Sequence, residues 1–233
     1  MGLYDINYPK AEEDLRVVCY DPFETGKVYE GRLEKGDRIF HAKWVKANST
    51  IVDFFDSKQG VSDWLGNFHG DQSLVAERQF FVAHGLVLRV LPLRWNETNK
   101  NFEYWSEVIP FIDMRVVAEG LVEIHRANKV VYKGKIRDIL DPMLLQPQNI
   151  GTAWDAGNNQ PKWEYVHTNY SPTSRRDYWP LVPPIPFAGG RIIKLQLKWD
   201  PPLALSVGSG LPAAENGLMI EVGLVGLVAS VTA

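Results

Sequence analysis

Short apolar runs with strand periodicity recur along the chain: TIVDFF, QFFVAHGLVLRVL, MRVVAEGLVEIH, KVVYKGKI, RIIKLQLKW and GLMIEVGLVGLVASV. Gly, Pro, Asn and Asp punctuate them, and nothing between them reads as a long amphipathic helix, which predicts an all-β sandwich. RIIKLQLKW has the plainest pattern. Ile193, Leu195, Leu197 and Trp199 alternate with Lys194, Gln196 and Lys198, so the first set is expected to face a core and the second water or a polar partner. In QFFVAHGLVLRVLPL, one long strand or two, residues 86–91 are apolar on both faces except for Arg89, the mark of a central strand. GLMIEVGLVGLVASV reads as a buried strand, with Gly223 and Gly226 at a bend or a close backbone approach. EIHRANKVVY predicts a hairpin turning at Ala127 and Asn128, where Asn tolerates the left-handed conformation of tight turns.

Elsewhere the pattern is weaker. Residues 1–25 are mixed polar and aromatic, with Pro9 and Pro22 limiting any helix to a short piece, and read as an arm. GKVYEGRLEKGDRIFHAKWV, interrupted by three glycines, predicts a hairpin or meander. DSKQGVSDWLGNFHGD is turn-rich, and Ser62 or Asp63 can cap a brief helical turn before Gly66. Residues 141–190 break the strand pattern with eight prolines, and a structureless loop of that length is uncommon in a compact domain. The stretch is therefore a functional excursion or carries small elements of its own. The halves of the chain show no internal repeat, which weighs against two copies of one domain.

A length of 233 residues suits one large β domain or two small ones. A chain of this size buries roughly 70% of its unfolded surface and needs no disulfide or metal for stability. The single cysteine, Cys19, agrees with folding in a reducing cytoplasm and reads as a small buried hydrophobe rather than a nucleophile. A formal net charge of −3 gives no electrostatic basis for binding nucleic acid. The N-terminus lacks the basic and apolar regions of a signal peptide, and no run of 18 uncharged apolar residues suggests a membrane span.

Candidate chemistry is sparse. The histidines His41, His69, His84, His125 and His167 form no H-x-H or H-E-x-x-H pair, so no metal site is expected. His84 and His125 read as hydrogen-bonded structural residues, and His69 as a turn residue. Glu119 and Glu123 would share a face of one strand about 13 Å apart, beyond the roughly 5 to 9.5 Å that glycoside hydrolysis requires. Neither phosphate-binding glycine loop occurs, and VGSGLP lacks the nucleophile elbow. Asn48, Asn96 and Asn169 begin sequons that read as chance matches. No catalytic residue, cofactor or metal is expected. The excursion alone has positive content: Trp154, Trp163, Tyr165, Tyr170, Tyr178 and Trp179 form either a subunit interface or a satellite core beneath their own loop.

TIVDFFD, then GVSDWLGNF, then RQFFVAHGLVLRV resemble a segment of the jelly-roll major capsid proteins of tailless icosahedral viruses of bacteria and archaea. There a strand ending in an FFD-like turn leads through an Asn-containing loop to a phenylalanine-rich strand. PPIPFAGGRIIKLQLKW and GLMIEVGLVGLV are similar to the final strand pairs of that family, and the likeness spans about residues 48–140 and 181–231. The resemblance implies a single jelly roll of two four-stranded antiparallel sheets. Residues 1–47 would form an N-terminal arm and hairpin, and residues 48–233 the jelly-roll domain, with a loop excursion at about 141–190. It further implies a non-enzymatic structural protein that assembles in the host cytoplasm with copies of itself and with a second major or vertex protein. The resulting virion shell often overlies an internal membrane. The N-terminus is acidic to neutral where genome-binding capsid proteins carry a basic arm, so direct contact with nucleic acid is not expected. The alternative is a carbohydrate- or receptor-binding sandwich module with Trp154, Trp163 and Trp179 as stacking platforms, and an uncharacterised hydrolase comes third.

Overall fold

The computed structural model describes residues 15–56, 64–69, 73–91, 93–104, 111–140, 150–155, 160–165, 178–206 and 215–231. In chain order the first elements are β1 (Arg16–Tyr20), β2 (Val28–Lys46), β3 (Ile51–Phe54), β4 (Trp64–Gly66), β5 (Gln79–Leu91), β6 (Leu93–Asn96), β7 (Asn101–Tyr104) and α1 (Phe111–Ala118). There follow β8 (Leu121–Arg126), β9 (Lys129–Lys135), α2 (Ile136–Ile139), β10 (Ile150–Asp155), β11 (Gln160–Tyr165), β12 (Trp179–Ala188), β13 (Ile193–Lys198) and β14 (Gly217–Val231). The protein is all-β and antiparallel, with helix confined to two short pieces.

Two sheets carry the fold. The larger runs β1-β2-β14-β5-β12, with β4 also pairing β2, and the smaller runs β3-β13-β8-β9. The larger has six strands where four were expected, because β1 and β4 both add to the outer side of β2. Between the sheets lies one contiguous core. Ile39, Val45, Phe81, Leu86, Val222 and Leu224 enter it from the larger sheet, and Phe54, Val122, Ile124, Leu195 and Leu197 from the smaller. Ile193, Leu195, Leu197 and Trp199 are all buried, as their alternation predicted. The Trp199 indole also donates to the Val117 carbonyl (3.1 Å), fastening the end of β13 to α1.

β14 is the central strand. It pairs with β2 on one side and β5 on the other along nearly its whole length. At Gly226 the register to β5 shifts, and a Cβ there would stand 2.2 Å from the Val82 carbonyl oxygen, so only glycine lets the two backbones meet.

Four sequence expectations are corrected. The run 28–46 is one 19-residue strand, with neither hairpin nor meander, because β14 pairs it on both sides of a bulge at Glu34 in the charged LEKGDR stretch. MRVVAEG is not strand: α1 takes MRVVA, burying Met114, Val117 and Ala118 at helical spacing, and Glu119 and Gly120 form the turn after it. Residues 64–66 are a strand on β2 instead of a helical turn, and Ser62 and Asp63 lie outside the described residues. Finally, 179–188 is no part of an irregular excursion but strand β12, which tolerates its prolines at the sheet edge, with a register break between Pro180 and Ile185. The β8–β9 hairpin turns where expected, though Ala127 (φ 53°), not Asn128, takes the left-handed position.

Burying Leu195 contributes roughly 1.5 to 3 kcal/mol, and a carboxylate in its place would be an unpaired buried charge costing several times that. Leu195→Asp is expected to abolish the cooperative thermal transition, whereas Val130→Asp, at a half-exposed position, is expected to shift it by only a few degrees. Calorimetry of the two variants checks the inward assignment.

Candidate functional site

Of the six aromatic residues singled out from the sequence, the five described ones fall in two places. β10 and β11 form a hairpin in which Trp163 stands opposite Thr152, Trp154 opposite Pro161 and Tyr165 opposite Ile150. Strand alternation puts positions 154, 163 and 165 on one face of that ribbon. Tyr170 lies outside the described residues. Tyr178 and Trp179 stand where the chain joins the larger sheet.

Tyr178 is half-buried and packs edge-on against His84 (5.3 Å between ring centroids). Its ring covers Gly85, where a Cβ would come within 2.3 Å of it, so the absent side chain at 85 makes the seat for the phenol. Trp179 keeps more than a third of its surface exposed while its side chain hydrogen-bonds to Tyr132 of β9, bridging the β12 and β9 edges. Burial raises the Tyr132 phenol pKa, and the bond from Trp179 works against that rise.

The outer face of the smaller sheet carries an ionic row. Asp53, Gln196, Glu123 and Lys133 stand in register across β3, β13, β8 and β9. Asp53 accepts from Gln196 Nε2 (2.7 Å) and Lys194 Nζ (3.0 Å). Glu123, nearly buried, is held by Lys198, by Lys133 Nζ (3.2 Å) and by His125 Nε2 (3.2 Å). The hydrogen bond from Lys198 foremost, then that from Lys133, lowers the Glu123 carboxyl pKa against the opposing effect of burial. Lys194, Gln196 and Lys198 thus find their polar partners within the chain. Glu119 is exposed beyond the end of α1, so the two glutamates do not share a strand, and Glu123 is held ionised and closed in by cations.

One polar group that sequence reasoning left among the scattered histidines organises the FFD turn. His41 on β2 is fully buried among Phe54, Phe55 and Phe68, at 5.6, 6.0 and 5.1 Å between centroids. Its Nδ1 accepts the Phe55 N–H at 2.7 Å, which fixes a residue in the left-handed region (φ 61°). Burial, then the nearby Lys43 charge, lowers its pKa to about 3, so the ring is neutral. Lys43 in turn binds Asp56 (2.7 Å) and the Asp53 carbonyl (3.3 Å). His84 is shifted the same way by burial.

Cys19 is half-buried rather than buried, beside Tyr29, Phe80, Val82 and Ala229 on the outer face of the larger sheet. Burial and then the Asp21 carboxylate raise its thiol pKa. Arg126, at the β8–β9 turn, binds Asp21 (2.6 Å) and the Pro186 carbonyl (3.1 Å) and lies over Phe23, tying the β1–β2 connection to both sheets. Among the described residues no group of three or more His, Cys, Asp or Glu is placed to hold a metal ion, and no helix is long and apolar enough to cross a membrane.

Comparison of the chain with protein-family models, with curated proteins and with solved structures finds no match.

The buried imidazole makes stability pH-dependent. Between pH 6.5 and about 3 the unfolded chain binds a proton at residue 41 that the folded chain does not, so stability falls as pH falls, by about 1.4 kcal/mol per unit at full uptake. Urea titrations from pH 7 to 5 are expected to show the loss. His41→Asn, whose amide oxygen can still accept the Phe55 N–H, should flatten the slope by close to one proton while leaving the smaller contribution of His84.

Proposed function

We propose that the chain is a structural subunit, built as a single jelly roll, that self-assembles into the capsomers of an icosahedral shell. The observation that carries this reading is the strand order. Numbered one to eight along the chain, β2, β3, β5, β8, β9, β12, β13 and β14 fall as 1-8-3-6 in the larger sheet and 2-7-4-5 in the smaller. That order matches two interlocked Greek keys and supports the jelly-roll reading, an arrangement found in capsid and lectin domains and in cupins.

The fold does not by itself choose among these. Two further features favour assembly. Asp53, Lys194, Gln196, Lys198, Glu123 and Lys133 of the smaller sheet are tied to one another, which supports a surface role for that face. Among the described residues, the exposed large apolar side chains other than Leu15 and Ile192 lie on strands of the two sheets, where neighbouring subunits can cover them. The partners are copies of the chain itself and, by the same reading, other capsid proteins in a virion. The aromatic positions of the β10–β11 hairpin and Trp179 are the proposed capsomer contact.

Negative-stain microscopy of the concentrated protein tests the reading: capsomers or a regular lattice are expected. Dispersed monomers that bind a glycan array would replace it with the carbohydrate-binding alternative. Trp163→Ala with Trp179→Ala is expected to move the protein from capsomer to monomer in sedimentation at equal concentration. The melting temperature should fall by under about 5 °C, since 1 kcal/mol corresponds to roughly 2 to 4 °C at this size. Unchanged assembly in the double variant would remove the aromatic contact from the proposal.

A further inference from the structure

Among the described residues, the edges of the two sheets are guarded unequally. An unpaired edge strand is a template for another strand, and proteins blunt such edges with proline, lysine, short length or bulges. β12 carries Pro180, Pro183, Pro184 and Pro186 together with a register break. β9 presents Lys129, Lys133 and Lys135, all exposed. β3 has four residues, is stopped by the left-handed Phe55, and holds Asp53 in the ionic row. β1, RVVCY, has neither proline nor lysine, and Val18 and Tyr20 on it are 51% and 75% exposed.

The hydrogen-bond phase of β1 is fixed at both ends. Leu33 N–H bonds the Leu15 carbonyl (2.7 Å) and Asp21 N–H bonds the Lys27 carbonyl (2.9 Å). In an antiparallel ladder the groups of alternate residues point the same way, so those of 15, 17, 19 and 21 turn to β2 and those of 16, 18 and 20 turn outward. The strand is also self-complementary about its middle. Run antiparallel to itself with Val18 on the two-fold axis, it sets Val18 against its own copy, Val17 against Cys19 of the partner subunit, and Arg16 against Tyr20 of the partner subunit. The outward groups of 16, 18 and 20 then all find partners. No like charges meet, and a guanidinium lies beside a phenol ring.

We propose that β1 is a two-fold docking edge, on which β1 of a second copy of this chain adds antiparallel through Val18 and continues the larger sheet from one subunit into the next. A five-residue edge buries little area, so alone it makes a transient contact that gains strength only where other contacts hold the subunits together. The pairing rests on the edge and not on the capsid reading: dimers without shells would retain it, and shells without it would retain that reading.

Disulfide trapping in the full chain tests it, with Cys19→Ser removing the native thiol. In this register the Cα atoms at position 18 stand about 5.5 Å apart, within disulfide range, while those at position 16 are separated by several strand rises. Mild oxidation of Val18→Cys is expected to give at least tenfold more linked dimer than Arg16→Cys. An equal mixture of Arg16→Cys and Tyr20→Cys chains is expected to link as the heterodimer. Absence of the position-18 dimer, equal linking at 16 and 18, or failure of the 16–20 mixture would overturn the proposal. Position 18 is half-exposed, so the substitution leaves the fold intact, which matching melting curves confirm.

Discussion

The pairing of β14 with both β2 and β5 is the constraint on which the remaining structure depends. It joins residues 217–231 to residues 28–46 and 79–91, far apart along the sequence. Until residues 217–231 are in place, β2 and β5 have no partner on their facing sides, and two rows of backbone donors and acceptors stand open. A sheet closed by a strand so distant in sequence from both its neighbours has non-local topology, which places loop-closure cost early and reward late. The same pairing explains local features without a local cause. It holds the charged middle of β2 extended and admits only glycine at 226, where Val82 presses against the strand.

Polar groups divide between two tasks around this frame. His41 and Arg126 act inside or across the sandwich, one fixing the turn that ends β3 and the other tying the β1–β2 connection to the β8–β9 turn and β12. The ionic row from Asp53 to Lys133 instead covers the outer face of the smaller sheet. Exposed ion pairs contribute little singly, but Glu123 and Gln196 are buried, so breaking the row would strand a carboxylate with little access to water. Stability and surface character are therefore coupled on that sheet.

What was legible in the sequence follows from where each element finds its partner. β13 declared itself because one face meets the core and the other meets lysines, an alternation contained in the strand. β5 and β14 declared themselves by apolarity on both faces, and Gly226 by its place inside such a run. β2 did not, since its middle is strand only by virtue of β14. α1 was masked because its two adjacent valines and its alanine suit either period, and only the burial of Met114, Val117 and Ala118 together distinguishes helix. β12 was hidden by prolines that are harmless at an edge. At the candidate site the excursion's aromatic residues were visible as composition, whereas their division between a separate hairpin and the start of β12 was not. His41 carried no motif, because its role is set by three phenylalanines brought to it from two other segments; a lone histidine in an apolar strand was the one available signal.

A shell built from one kind of subunit needs at least two distinct contacts. A two-fold contact alone closes on itself and yields a dimer, and a head-to-tail contact alone yields a ring or a filament. The proposed β1 edge is of the first kind, because its sequence is complementary to itself. The proposed aromatic contact at Trp179 has no such symmetry and suits a contact of the second kind, in which a patch on one subunit meets a different surface of the next. The two proposed contacts draw on separate parts of the chain. The edge exposes backbone groups whose direction the ladder dictates, and the aromatic surface relies on side-chain area. One chain can therefore supply both without either geometry limiting the other.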